Sequence, residues 1–261
     1  MFLRSNLRAG GLVDNGQPFQ ATYAAARDPD GEIVGVAAHG WNGVILLQAP
    51  VFLPEIVRAA VDASNRRVLG LSGPLQQTTA ARYSLGFSHS PAILDRPEML
   101  FSLPLERLQV PEALTSGEVH CRRSDGDDFT LLRRWRVDFC IETLHHPDTP
   151  ALRESCGRDV WMSHEQGRLW VLATEDGPVA TSTFNASLPD AVQIGGVWTP
   201  RVFRGLGYAR CVVAGSLVVA RAEGVKRAVL FTDEGNAAAQ SAYTAIGFEP
   251  SGSFGLVLFG A

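Results

Sequence analysis

The sequence predicts an α+β fold built from two similar units, each a mixed, mainly antiparallel sheet flanked by helices. Three observations lead there. Apolar segments separated by turn residues form a meander in each half, a glycine-bearing strand-to-helix loop occupies residues 197–209, and landmark tripeptides recur in the same order in both halves.

The first meander comprises residues 19–26, 33–39 and 44–48, divided by Asp28-Pro29-Asp30-Gly31 and Gly40-Trp41-Asn42-Gly43. Both dividers are rich in residues that tolerate turn conformations. A helix is expected over 54–64, with Ile56, Val57, Ala60 and Val61 on one face, then a strand at 68–71. A helix at 77–84 ending at Gly86-Phe87 and a closing strand at 99–103 complete this half. Proline and polar punctuation over 104–117 sets the expected boundary near Pro111, giving domains 1–111 and 112–261.

The second half opens with a strand at 118–122 and a helix at 129–144, in which Leu131, Leu132, Trp135, Phe139 and Ile141 follow helical spacing. A second meander (169–173, 178–185, 192–198) precedes a helix (206–223), a strand (227–232), a helix (237–245) and a last strand (254–259). Gln48-Ala49-Pro50 falls where Trp198-Thr199-Pro200 does, and Leu85-Gly86-Phe87 where Ile246-Gly247-Phe248 does. This order implies an internal duplication with a shortened first copy.

Composition bounds the function. A chain of 261 residues, 46% hydrophobic and 19% charged, is an ordinary folded protein. The net charge of −4 contains no block of like charges, so nucleic acid is not an expected partner. The apolar stretch 211–220, bracketed by Arg210 and Arg221, is far too short to span a bilayer, and no membrane association is expected. Met1-Phe2-Leu3-Arg4-Ser5-Asn6 lacks the apolar core of an export signal, which makes the cytoplasm the expected location.

Cys121, Cys140, Cys156 and Cys211 form no Cys-x-x-Cys pair and read as reduced, mostly buried thiols. No metal is expected: His145-His146 reads as a solvated loop, and His39, His89, His120 and His164 are scattered. Gly70-Leu71-Ser72-Gly73-Pro74 approaches a hydrolase nucleophile elbow but ends in proline where glycine is needed.

The chemistry concentrates in Val197-Trp198-Thr199-Pro200-Arg201-Val202-Phe203-Arg204-Gly205-Leu206-Gly207-Tyr208-Ala209. Its glycines allow a tight turn, and the unpaired N–H groups opening the following helix make an anion site. A Walker loop would need Gly-Lys-Ser/Thr, and the dinucleotide fingerprint would need a small residue where Arg210 stands.

These residues resemble the GNAT superfamily, whose pyrophosphate loop runs Arg or Gln, two residues, Gly, one residue, then Gly or Ala. Arg204, Gly207 and Ala209 match it in register. The superfamily's later signature is met by Asn236, Ala239, Tyr243, Gly247 and Phe248. The resemblance covers residues 118–259 and, as a degenerate copy, much of 19–103. In the first copy residues 51–55 contain no glycine and Arg82 stands opposite Tyr243, so that copy is expected to be silent.

The resemblance implies an N-acetyltransferase, an enzyme of the class transferring groups other than amino-acyl groups. It would use acetyl-CoA or another acyl-CoA and pass the acyl group directly to an amine of a small molecule or peptide. The main chain of Val197, Trp198 and Thr199 would pair with the pantetheine arm. Arg204, Gly205, Leu206, Gly207, Tyr208, Ala209 and Arg210 would hold the pyrophosphate, with Asn236 as a further cofactor contact. Tyr243 looks like the general acid for the leaving thiolate, its alternative being a structural tyrosine. Gln193 occupies a strand where many relatives carry a carboxylate, so Glu142 is the candidate base, acting directly or through water, unless it is a surface glutamate without a role. A non-catalytic acyl-CoA-binding or sensing protein is the alternative function. Acceptor, chain-length preference and oligomeric state stay open at this stage.

Overall fold

The computed structural model describes residues 1–260 and resolves into two units, Met1–Met99 joined by the C-terminal residues from Gly252 on, and Leu100–Ser251. The first unit starts with helix α1 (Phe2–Gly10). Sequence reasoning misses it because it begins at the chain start with no side-chain cap to announce it.

The expected meander follows as β1 (Ala21–Arg27), β2 (Ile33–Gly40) and β3 (Val44–Gln48), paired antiparallel from Ala21↔Gly40 and Val36↔Gln48. Asp28 closes the first turn by accepting from the backbone N–H groups of Asp30 and Glu32 at 3.0 and 2.9 Å. Helix α2 (Leu53–Ser64) then carries the chain across the sheet, which lets β4 (Gly70–Pro74) pair parallel with β3 through Ile45↔Leu71. Helix α3 (Leu75–Ser84) and strand β5 (Ala92–Pro104) follow, β5 running well beyond the predicted 99–103. The unit's core gathers Ile45, Leu47, Ile56, Val57, Leu71 and Ala81 with Val257 from the far end of the chain.

The second unit contains a short helix α4 (Glu112–Thr115), strand β6 (His120–Arg123), helix α5 (Phe129–Leu144) and helix α6 (Pro150–Glu165). Helix α6 is absent from the sequence reading, although Thr149-Pro150 signals its start: the Thr149 hydroxyl accepts from Leu152 N–H at 3.1 Å. The second meander is β7 (Leu169–Thr174), β8 (Gly177–Ser187) and β9 (Ala191–Trp198). Helix α7 (Tyr208–Ala222), strand β10 (Arg227–Asp233), helix α8 (Ala237–Thr244) and strand β11 (Glu249–Phe259) end the chain.

The two units therefore repeat one plan. In β1-β2-β3-α2-β4-α3 and in β7-β8-β9-α7-β10-α8, three antiparallel strands are followed by a helix and a parallel fourth strand. The expected boundary near Pro111 lies inside the second unit; the division comes at Met99/Leu100, and β11 leaves the second unit after Ser251. From Phe254↔Pro74 to Leu258↔Gly70 it pairs antiparallel with β4.

In the second unit α5 and α6 cover the sheet face that carries Leu169, Val171 and Trp198. Cys121, paired with Leu172, points to the opposite face, where α7 packs. Residues 211–217 of α7 are all buried, and Gly215 permits the close approach. A Cβ at Gly215 would stand 2.3 Å from the Cys121 Cβ, an atom tied to the backbone that cannot swing aside. Gly215→Ala should therefore lower stability by about 1–3 kcal/mol in urea unfolding, the usual cost of overpacking.

Candidate functional site

Strand β9 is irregular where the site forms. Against β8 its register passes from Gly195↔Thr183 to Trp198↔Thr181, so β9 carries an extra residue there. Against β10 the parallel register runs from Ala191↔Arg227 to Ile194↔Leu230 and no further. The two strands thus separate at Gly195, leaving a gap between the C-terminal end of β9 and that of β10. A Cβ on Gly195 would fall 1.9 Å from Asn185 Nδ2, the movable end of an exposed side chain, whereas the φ of +57° at Gly196 itself favours glycine.

Beyond the gap, a single 3-10 turn (Arg201–Phe203) leads into the loop. Gly205 and Gly207 have φ of +80° and +82°, and Gly207 caps α7 without any side-chain acceptor. Among the described residues, the backbone N–H groups of residues 205–210 donate to nothing before Cys211 N–H closes on Gly207 O at 3.2 Å. Such a row of free donors, with the helix dipole behind it, is an anion cradle. Arg210 curls back over Gly207, where an added Cβ would sit 3.0 Å from its Nε. Leu206 and Val202 stand 61% and 80% exposed beside the cradle.

Arg204 is fixed rather than free. Its Nε donates to Thr199 O at 2.9 Å, its guanidinium lies 4.8 Å from the Trp198 ring centroid, and Nη1 donates to Glu142 Oε1 at 2.6 Å. Arg201 Nε takes the other carboxylate oxygen at 3.0 Å. The Arg204 hydrogen bond, with help from Arg201, holds Glu142 below the usual carboxylate range. Both oxygens are engaged and the basicity is reduced, so the base role expected for Glu142 is opposed by its own contacts. What Glu142 does in this structure is tether the loop to α5.

Four residues of the Asn236-to-Phe248 signature, Asn236, Tyr243, Gly247 and Phe248, have a folding explanation. Asn236 Oδ1 accepts from Ala239 N–H at 3.1 Å and caps α8. Tyr243 is buried, with its ring edge-on to Phe101 and Phe248 at centroid distances of 6.4 and 6.2 Å. Gly247, at φ +100°, lets the backbone pass Arg107 O. Because β9 and β10 are parallel, α7 and α8 both begin beyond the same end of the sheet, the end at which the strands part. The loop residues and α8 are thereby brought to one side.

Sequence reasoning passed over a second group on α5 and α6. Arg136 Nη2 donates to Asp159 Oδ2 at 3.1 Å, and its guanidinium stacks 5.3 Å from the Phe139 centroid. Phe139 in turn meets Trp198 edge-on at 6.3 Å. The signal was present: Arg136 interrupts the apolar stripe of Leu132, Trp135, Phe139 and Cys140. Cys156 Sγ and Cys140 Sγ lie 3.6 Å apart, and donation from Cys156 lowers the Cys140 thiol below its ordinary value. His146, expected to be solvated, is half-buried, and burial assisted by Arg136 lowers its imidazole pKa. All four cysteines are free thiols, and among the described residues no cluster of His, Cys, Asp or Glu could hold a metal. No described helix is long and apolar enough to cross a membrane.

The equivalent place in the first unit differs in kind. Pro54 removes a donor from the first turn of α2 and Glu55 adds a negative charge where an anion would sit. Arg82 serves its own unit, donating to Phe87 O at 2.9 Å and Ser90 O at 3.0 Å.

Residues 130–248 match the model of the acetyltransferase (GNAT) family. No curated protein matches the chain. Among solved structures, a GCN5-related N-acetyltransferase from Kribbella flavida is similar at 17% identity with a TM-score of 0.62, over 100% of this chain and 96% of that one. One from Sphaerobacter thermophilus gives 16% and 0.58, over 93% and 82%. A tandem GNAT protein of the clavulanic acid biosynthesis pathway gives 13% and 0.54, over 92% and 84%. These likenesses concern the fold.

The Glu142 tether can be tested without a ligand. Its ion pairs are partly exposed and worth at most about 1 kcal/mol to global stability, so Glu142→Gln should leave the melting temperature nearly unchanged. Amide exchange at Phe203 and Arg204, whose N–H groups are the hydrogen-bonded ones of the loop, should accelerate. In the wild type the tether should be intact above the ordinary carboxyl value of 4.5 and loosen only as pH falls below it, because the folded-state pKa is depressed. Unchanged exchange in the variant would remove the tether.

Proposed function

We propose that this chain, which carries a GNAT-family domain over residues 130–248, is an acyl-CoA-dependent N-acyltransferase that passes its acyl group, acetyl in the first instance, directly to an amine of a small molecule or peptide. The observation that carries this reading is the row of unbonded N–H groups over residues 205–210. Exposed donors at a helix start are otherwise met by water, and a diphosphate satisfies several together.

In this reading the pyrophosphate of acyl-CoA rests on the loop of Arg204, Gly205, Leu206, Gly207, Tyr208, Ala209 and Arg210. The pantetheine arm enters the gap where β9 has left β10, and the main chain of Val197, Trp198 and Thr199 offers it the hydrogen bonds no longer made to β10. A backbone N–H there polarises the thioester carbonyl and takes up charge as the tetrahedral intermediate forms. Asn236 stands at the start of α8, on the side the arm enters.

An acceptor ammonium, with an ordinary pKa of about 10.4, must lose its proton before attack. Glu142 is occupied by Arg201 and Arg204, so we assign this proton to water in the gap. The amine nitrogen then bonds to the thioester carbon and gives up its surplus proton to water, the C–S bond breaks, and Tyr243 protonates the departing thiolate and is reprotonated from solvent. The first unit, lacking the cradle, is not given a catalytic role.

Calorimetric titration with acetyl-CoA tests the cofactor assignment. Wild type should bind saturably, and Gly207→Glu should weaken binding by about a hundredfold, or roughly 2.7 kcal/mol. A folded wild type that does not bind acetyl-CoA would remove the reading, while binding without acceptor-dependent release of CoA thiol would favour a sensing role. Tyr243→Phe should lower kcat by about 10²–10⁴ with acetyl-CoA affinity unchanged; normal turnover would end the acid assignment.

A further inference from the structure

We infer that Arg136 anchors the acceptor, and that the acceptor is an amine bearing a carboxylate. The inference rests on the acyl-transfer reading above and specifies the substrate class for the same site.

Arg136 lies mid-helix in α5 and turns toward the sheet. Its Nη1 comes within 3.9 Å of the point where a Cβ on Gly196 would stand, and Thr183 Oγ1 within 3.3 Å of the same point. A guanidinium and a hydroxyl therefore converge on Gly196 within the irregular stretch of β9, next to the residues assigned to the thioester. Among the described residues neither Nη1 nor Thr183 Oγ1 makes a hydrogen bond, and Nε is buried without a partner. Of five guanidinium N–H groups only one is used, in the single contact to Asp159. Packing against Phe139 fixes the orientation.

A cation held by only one bond and presented beside a reacting centre is incomplete without an anion. Asp159, 40% exposed, offsets part of the charge, so a monoanion fits better than a doubly charged phosphate. A carboxylate can engage the unused donors as a charge-assisted pair. The same positive charge also disfavours protonation of an amine beside it, which favours the nucleophilic form. Gly196 keeps the approach clear, since any side chain there would stand between Arg136 and the gap.

The test compares amino acids with their decarboxylated amines, for example phenylalanine with phenethylamine, tyrosine with tyramine and lysine with cadaverine, by thiol release from acetyl-CoA. Wild type should prefer the carboxylated member of a pair by roughly 10- to 150-fold in kcat/KM. In Arg136→Gln the preference should collapse through KM, with acetyl-CoA affinity by calorimetry unchanged, and Arg136→Lys should restore part of it. Equal use of both members by an active wild type, an unaltered KM in Arg136→Gln, or acetyl-CoA binding without transfer to any carboxylated amine would each overturn the inference. Failure to bind acetyl-CoA at all would instead overturn the reading beneath it. If Arg136→Gln does not fold, the wild-type pair comparison and Arg136→Lys still decide.

Discussion

The backbone ladder between β9 and β10 stops at Ile194 and Leu230, and the candidate site depends on that interruption. A continuous parallel pair would consume the polar groups of residues 195–198 and leave no slot between the strands. One extra residue against β8, allowed by a glycine with positive φ, turns those groups loose while Trp198 remains pinned in the core under α5. The loop that follows then inherits a fixed starting point. Two arginines and Glu142 brace it from outside, and its own N–H groups are left facing solvent.

Charge balance around the loop is economical. Arg204 stacks on Trp198, which meets Phe139, against which Arg136 also packs. Each end of this row has a carboxylate, Glu142 at one and Asp159 at the other. Each carboxylate leaves its arginine partly unneutralised. The site is electropositive without a surplus of positive charge on the chain as a whole.

Much of this was legible in the sequence because it is written in glycines and in strand periodicity. Gly205 and Gly207 announced the loop, and the turn residues between apolar runs located both meanders to within a few residues. What escaped was written in tertiary contact. Helix α6 has little amphipathic contrast, and its Thr149 cap is a short signal. The Glu142 tether joins residues far apart in the chain, and a carboxylate on a helix looks the same whether it faces water or two arginines. Arg136 showed in the sequence only as a charge interrupting an apolar stripe, since its meaning depends on Gly196 lying close by. The Asn236 and Tyr243 positions show the converse: a signature can be read correctly while residues in it also have a local reason to be there, as cap, ring contact or turn.

The last strand adds a constraint of time. β4 emerges early in synthesis, yet one of its neighbours, residues 254–258, is among the last segments made. Until then the first unit has an open edge and lacks Val257 from its core. A growing chain on the ribosome must therefore hold that edge unpaired through the making of some 180 further residues, a long exposure for a strand that could recruit a wrong partner. The polypeptide repeats one plan, but its first unit is complete only once the last strand of the chain has been made.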